Sequence, residues 1–547
     1  MESKEVDAKH PEDVKEFGEY DGEVSHIDKV DKIDRIANYD DSIESTKVST
    51  AVWLITFTVA TGGFLFVISA VLVTLKSDLG HELSSSEQEM VTSLTSGGAL
   101  VGALIARLPA DKYGRKFGIY AGCALLLIGS VIQAAAFSVA QMAVGRLVVG
   151  LGVGSAAMII PLYIGELAPA PHRGRMIALD NLSVTLGQLI SYALGAAFTE
   201  VPHGWRYMVA AGGIPLIILA FLLPQCPESP RQLLAHDKVA EATECITRIY
   251  PEATEEQVRS EVEYMAWTIQ VEAQAVGDKS LWWQFKQLHC VPSNLRALIT
   301  ACAVMASVYH HTSSVTRACR SNMPSFSQLG GFNTLMYYSA TLFSLVGFKK
   351  ATAVSLVVGG TNFLFTLVNM LFIDRLGRRK ILLITVMGIA LSMVVAAIAF
   401  HWIPISRDLV LESDTVNWAG ILILVTIIFY VAFFASGVAT IGWVGTELLP
   451  IEVRALGTMM NTVTCWGCNI IIASTFLSMM NAWTPSGAFG FYAAICFFGW
   501  VFVVFLYPEV KGLPLEDVRQ IFEHDFGVKV AARLQKEQKA KRQAGIA

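Results

Sequence analysis

The same short loop occurs twice in this chain, as Asp111-Lys-Tyr-Gly-Arg-Lys116 and as Asp374-Arg-Leu-Gly-Arg-Arg-Lys380. Each copy follows an apolar segment of helix length and precedes another. A second marker repeats with it. Glu166 is followed seven positions later by Arg173-Gly, and Glu447 seven positions later by Arg454-Ala. Two markers recurring in the same order imply a duplicated bundle of helices.

The bundle has to be read as membranous. The chain is 53% hydrophobic and only 16% charged over 547 residues, far less charge than a soluble protein of this length carries. Apolar runs of about 20 residues recur, each long enough to cross a bilayer as a helix. In lipid a helix satisfies its own backbone groups, so the reading is all-α. The net charge of −5 says little, because the acids concentrate in the tails. No basic block interleaves with aromatics, so nucleic-acid binding is not supported.

Hydropathy predicts twelve transmembrane helices in two pseudo-symmetric six-helix bundles. The first six spans fall near 51–75, 88–109, 117–138, 140–165, 178–200 and 207–225. The second six fall near 293–345 (interrupted), 352–374, 379–401, 417–449, 456–480 and 487–507. The domain reading follows: a polar, disordered tail over 1–50, a first bundle over 51–226, a linker over 227–292, a second bundle over 293–507, and a tail over 508–547. Within the linker, Val239 to Tyr250 and Glu255 to Gln274 carry helical patterning, expected as amphipathic helices on the membrane surface. No cleavable signal peptide opens the chain, so the first span is expected to act as the insertion signal.

Basic residues crowd the loops after even-numbered spans: Lys112, Arg115, Lys116, Arg173, Arg175, Arg231, Arg375, Arg378, Arg379, Lys380 and Arg454. By the positive-inside rule both termini face the cytoplasm. The Lys and Arg alone could be nothing more than topology signals. Glu166 and Glu447 are not explained that way, since acids contribute little to orientation, and a carboxylate at a span end wants a partner.

Six motifs in order resemble the sugar porters of the major facilitator superfamily over Val52 to Phe526: Asp-x-x-Gly-Arg-Lys at 111–116; Pro161-x-x-x-x-Glu166-x-x-Pro169-x-x-x-Arg173-Gly174; Pro227-Glu-Ser-Pro-Arg231; Gln328-x-x-Gly-Phe-Asn333-x-x-x-Tyr337-Tyr338; Asp374-Arg-Leu-Gly-Arg-Arg379; and Pro508-Glu-Val-Lys-Gly512. Within that family, Leu288 to Arg296, Gly442 to Pro450 and Asn461 to Asn469 look most like fungal myo-inositol transporters. The resemblance implies a plasma-membrane carrier working by alternating access, a monomer without a cofactor. Its substrate would be a polyol or sugar, myo-inositol before a hexose, taken up with protons in intact relatives. It also implies an inner gate: Asp111, Arg115, Glu166, Arg173 and Glu228 in the first half, Asp374, Arg378, Glu447 and Arg454 in the second. A non-transporting nutrient sensor is the alternative of another class, disfavoured by the short tail after the last span. An enzyme is not expected, because no nucleophile elbow or phosphate loop is present.

A polyol needs partners that both donate and accept hydrogen bonds, and uncharged amides do both. The apolar segments hold few: Gln188, Gln328, Asn333, Asn362 and Asn469, with Tyr337, Tyr338, Trp443 and Trp466 as stacking faces. The resemblance assigns Gln188, Gln328, Asn333, Tyr338, Asn362 and Trp466 to substrate binding. Interhelical glue is the competing role for any one of these amides. Gly145, Gly150, Gly152 and Gly154 read as a helix-packing stripe, and Cys465-Trp-Gly-Cys468 as structural rather than metal-binding, since no further ligands accompany it.

The chain departs from the family twice. Span 1 reads Gly62-Gly-Phe-Leu-Phe66-Val67-Ile-Ser69 and lacks a Gly-Tyr-Asp-x-Gly block whose Asp is the protonation site of proton-coupled members; no acid remains between Val52 and Leu75. Losing five residues also rotates the rest of the helix by about 140°. In span 7, residues 307–327 interrupt the apolar run with Arg317, Arg320 and Pro324. Each arginine at bilayer depth would cost about 2.5–3.5 kcal/mol. Both departures read as gene-model errors, a dropped exon edge and a translated intron, with a genuine excursion loop as the competing view.

Overall fold

The computed structural model describes residues 43, 49, 52, 53, 56, 75, 78–169, 173–276, 281–305, 330–403, 418–439, 448, 449, 451–510, 521–523 and 525–543. The acid-free stretch of span 1, the 307–327 insertion, most of the first tail, and Gln328, Trp443 and Glu447 lie outside the described residues. So do the side chains of Arg173, Asp374 and Arg454.

Among the described residues the chain is helical throughout. The first bundle contains α1 (Ser85–Tyr113), α2 (Arg115–Ala134), α3 (Val139–Leu167), α4 (Arg173–Phe198), α5 (Gly204–Ala211) and α6 (Gly213–Leu222). The linker holds α7 (Pro230–Ala235), α8 (Val239–Ile249), α9 (Glu255–Val276) and α10 (Leu281–Cys290). The second bundle follows with α11 (Pro292–Met305), α12 (Phe332–Leu345), α13 (Ala351–Leu376), α14 (Arg378–His401), α15 (Trp418–Phe433) and α16 (Ile451–Leu506), and α17 (Val528–Gln543) closes the described chain. Eight stretches of the described residues are long and apolar enough to cross a membrane, one of them running through α5 and α6 together.

Sequence chemistry accounts for the helix ends. Ser84 caps α1: its hydroxyl accepts from the Glu87 N–H at 3.3 Å while Glu87 accepts from the Ser84 N–H at 2.9 Å, a reciprocal capping box. Gly114 and Gly377, at φ 103° and 88°, turn the chain between α1 and α2 and between α13 and α14, a conformation that glycine adopts without the Cβ clash. The long α16 is two spans in one. Thr484 at φ 67° breaks its helical path just before Pro485, so the predicted spans 11 and 12 meet there without a loop.

Two large apolar cores form, beside a smaller cluster around Val91, Met142 and Trp205. One gathers Ala99, Val153, Ile160, Leu219 and their neighbours in the first bundle, and extends to Ile246 and Val262 of the linker. The other gathers Leu342, Val386, Ile423, Phe476 and Phe502 in the second. Outward faces carry bare apolar side chains such as Leu108, Phe221 and Phe505, as a lipid-facing surface requires. The glycine stripe packs helices: a Cβ on Gly154 would fall 1.9 Å from the Ala99 carbonyl oxygen and one on Gly150 2.3 Å from that of Thr95, so α3 seats directly on the α1 backbone.

Of span 7 the structure describes α11, up to Met305, and α12, which starts at Phe332 behind Gly331 in the left-handed region at φ 86°. The Tyr430 hydroxyl donates to the Gly330 carbonyl at 2.9 Å and braces the start of α12 from α15. Fourteen residues of α12 cover about 21 Å, less than the hydrocarbon core of a bilayer.

Candidate functional site

The first copy of the repeated loop builds a closed charge cluster. Arg115 opens α2 and lies between α1 and α3, its side chain 11% exposed. Its guanidinium donates from Nε to Glu166 Oε2 at 3.1 Å and from Nη2 to Glu166 Oε1 at 3.0 Å, a bidentate fork. Its Nη1 donates to Asp111 Oδ1 at 2.5 Å and to the Ala110 carbonyl at 3.1 Å. A planar fork with fixed donors suits this arrangement better than an ammonium would. Glu228 works differently. Its carboxylate accepts from the backbone N–H groups of Arg115 at 2.9 Å and Lys116 at 3.2 Å, at the positive end of the α2 macrodipole. Lys116 Nζ completes the ring by donating to the Cys226 carbonyl at 2.7 Å, and the Tyr163 hydroxyl donates to the Pro227 carbonyl.

The second copy repeats the backbone part. Glu509 accepts from the N–H groups of Arg378 and Arg379, both at 3.1 Å. A Cβ on Gly114 would sit 2.6 Å from Glu228 Oε2, and one on Gly377 2.6 Å from Glu509 Oε2. Each loop thus has a glycine because a carboxylate occupies the space of a side chain. Glu509 is absent from the gate set drawn from the sequence. The signal was present in the paired Pro227-Glu228 and Pro508-Glu509 dipeptides. The ion pairs of Arg115 join helices within one bundle. Glu447, the second half's counterpart of Glu166, is not among the described residues.

The amides lie elsewhere, at mid-depth. Asn362 Nδ2 donates to Gln188 Oε1 at 2.6 Å, linking α13 to α4 and so one bundle to the other. Asn362 is buried and Gln188 half-buried. Asn469 Nδ2 donates to the Tyr337 hydroxyl at 3.2 Å. Asn333 is half-buried in the first turn of α12. Trp466 joins the apolar core of the first bundle although it belongs to the second. Tyr338 is fully buried, stacks on Phe476 and donates its hydroxyl to the Ala473 carbonyl at 3.1 Å.

Further contacts join the bundles from mid-depth to the end opposite the repeated loops. Tyr192 of α4 donates to the Met336 carbonyl at 2.7 Å and accepts from Ser339 at 3.3 Å; its ring lies against Gly359. Thr199 Oγ1 donates to Thr352 Oγ1 at 3.1 Å. Glu89 of α1 accepts from the Ser478 N–H at 2.8 Å and from its hydroxyl at 2.6 Å. None of these residues was singled out from the sequence, since Tyr, Ser and Thr are common in spans and only pairing across the seam distinguishes them. The arrangement is a two-bundle body with uncharged polar side chains at mid-depth, sealed by hydrogen bonds at one end and bearing carboxylate-capped loops at the other.

Residues 57–522 match the family described as "Sugar (and other) transporter". The chain is 43% identical over 498 residues to myo-inositol transporter 1 of Cryptococcus neoformans var. grubii, covering 90% of this chain and 84% of that one. It is 40% identical over 496 residues to myo-inositol transporter 1 of Saccharomyces cerevisiae, covering 89% and 81%. Among solved structures it is similar to the proton:xylose symporter XylE bound to 6-bromo-6-deoxy-D-glucose, with TM-score 0.69 and 22% identity, over 87% of this chain and 100% of that one. The partially occluded inward-open form of XylE from E. coli superposes with TM-score 0.68 over 85% and 100%, also at 22% identity. At these identities the structural likeness concerns the fold.

Proposed function

The chain belongs to the sugar (and other) transporter family, and we propose that the solute its two bundles carry is myo-inositol. The observation that carries this reading is the Asn362–Gln188 amide pair at 2.6 Å across the bundle seam. It puts donors and acceptors without net charge where two rocking bundles would enclose a neutral polyol. The identity to fungal transporters named for myo-inositol supports the choice of substrate.

In this reading Gln188, Gln328, Asn333 and Asn362 exchange hydrogen bonds with ring hydroxyls, and Trp466 and Tyr338 flank the ring carbons. The Asn362–Gln188 bond breaks as substrate enters, and the hydroxyls replace it. Asp111, Arg115, Glu166, Arg173 and Glu228, with Asp374, Arg378, Glu447 and Arg454, hold the cytoplasmic ends of the helices in a closed arrangement when the outer side is open. Glu509 joins them by the same backbone contacts that Glu228 makes. The protein works as a monomer in the plasma membrane with both termini cytoplasmic. Uptake with protons, which the resemblance implies for intact relatives, requires an acid that span 1 as written does not contain.

Radiolabelled myo-inositol uptake in a transport-deficient host tests the reading, using this chain and a version with the span 1 block restored and 307–327 removed. Accumulation that unlabelled myo-inositol suppresses and glucose does not is the expected result. Glucose competing equally well would replace the substrate by a hexose. Binding without accumulation in both versions would make the protein a sensor. A protonophore in the same assay reads the coupling.

A further inference from the structure

Within the described spans, a carboxylate embedded between helices needs a partner or it is costly to keep there. Glu89 is one. It lies in the second turn of α1, 5% exposed, and nothing in the gate or the amide set uses it. Its partner is Ser478 on α16, in the opposite bundle. The Ser478 N–H reaches Oε1 at 2.8 Å and the Ser478 hydroxyl reaches Oε2 at 2.6 Å. Both acceptor oxygens are therefore held by one residue, from a backbone that cannot move without moving its helix. Hydrogen bonds to an ionised acceptor are short and roughly twice as strong as neutral ones.

Position gives this contact its meaning. Glu89 is near the start of α1, whose other end is the Gly114 loop, and Ser478 lies six residues before the Thr484 kink. Both are at the end of the molecule opposite the repeated loops. Ser478 is exposed while Glu89 is buried beneath it, so the pair forms the rim of the closed seam. On the second seam, between α4 and α13, the contact at the same end is a neutral one between Thr199 and Thr352 at 3.1 Å. Among the described residues, the charged contact between the bundles at this end is on the α1–α16 side.

We propose that Glu89 and Ser478 form the outer latch: the carboxylate ties the two bundles together when the outer side is closed, and opening the outer entrance requires its release into water. The proposal rests on the alternating-access reading and on the loops bearing Gly114 and Gly377 being cytoplasmic. In the released state the two carboxylate oxygens face the entrance and accept from water or from the hydroxyls of the entering polyol. Closure returns them to Ser478. Glu89 is a positioning residue for the outer gate, since its bond is to helix α16 and not to the site at mid-depth.

The test measures accessibility from outside rather than transport. Thr352→Cys places a reporter on the α4–α13 seam, away from the latch, so its exposure follows the bundles and not local loosening around Glu89. Cells expressing the full chain are labelled with a membrane-impermeant maleimide, with the chain lacking the reporter as blank. Glu89→Ala is expected to raise the labelling rate about tenfold, the size expected on losing a hydrogen bond to a charged acceptor. Ser478→Ala, which keeps the backbone donor and the carboxylate, is expected to raise it less, and the double variant no more than Glu89→Ala alone. Labelling equal to the parent in both single variants overturns the latch. If Glu89→Ala does not reach the surface, Ser478→Ala decides: no rise overturns the proposal, a rise supports it. The parent's myo-inositol uptake separates this from the substrate. Uptake with flat labelling removes the latch only, and raised labelling without uptake removes the substrate only.

Discussion

Asn362 donates to Gln188 at 2.6 Å, from one bundle to the other. The two amides proposed to hold the substrate therefore hold each other when none is bound. A ligand must replace this bond, so each amide serves both closure and recognition. Asn362→Ala or Gln188→Ala should raise the KM for myo-inositol about tenfold, the loss of roughly one hydrogen bond in a desolvated site. The double variant should fall short of the product of the two, because the pair shares a contact. Uptake kinetics over a range of myo-inositol concentrations measure both. Strict additivity would place the two side chains in separate roles.

The Arg115–Glu166 fork is nearly buried, with side chains 11% and 8% exposed. Removing Arg115 leaves the Glu166 carboxylate uncompensated, which for a buried pair costs about 3–5 kcal/mol, whereas after Glu166→Ala the guanidinium keeps Asp111. Arg115→Ala should therefore lower the thermal midpoint of the detergent-solubilised protein strongly, and Glu166→Ala less. Arg115→Lys keeps the charge and loses the fork, and should fall between the parent and Arg115→Ala. Equal midpoints for Lys and Arg at this position would show that geometry is unimportant there.

The two loop glycines should behave as a pair. Gly114→Ala and Gly377→Ala each put a methyl 2.6 Å from a carboxylate oxygen, on backbone at φ 103° and 88°. Both substitutions force the carboxylate off the helix N-terminus and strain the turn. A comparable loss of stability in both, read from thermal unfolding, follows from the repeated geometry. Glu509→Ala should then mimic Glu228→Ala, although Glu509 was not in the gate set drawn from the sequence.

Acid should loosen one loop outside the spans. Asp78 is held below the usual aspartate range, first by the hydrogen bond from Trp205 Nε1 at 2.7 Å and then by His203 at 2.8 Å. A folded pKa below the unfolded one contributes stability at neutral pH that is lost as pH falls through the folded value. Thermal midpoints of the parent should therefore decline below about pH 4 more steeply than those of Asp78→Asn, which cannot titrate. Parallel declines would exclude Asp78 as a source of the acid sensitivity.

Much of this was legible in the sequence because it depends on local pattern. Apolar runs of bilayer length must become helices, since lipid offers backbone groups no partners. The repeated Gly-Arg loops identified the turns between α1 and α2 and between α13 and α14, because only glycine takes those backbone angles without strain. The glycine stripe of α3 announced a close approach, and the carboxylates at the span ends announced partners.

The partners themselves were decided by tertiary structure. That Glu228 and Glu509 bind backbone N–H groups, while Glu166 binds a guanidinium, depends on the distances at which three helix ends meet. The Tyr338 hydroxyl donates to the Ala473 carbonyl, a partner that its place in span 7 does not announce. Tyr192 and Glu89, unremarked in their own helices, became seam residues only when the bundles came together. Periodicity and composition determine which residues leave water, because burial is a property of one helix face. Which residues then meet across a seam hundreds of positions apart in the chain, as Glu89 and Ser478 do, is set by how the two bundles pack.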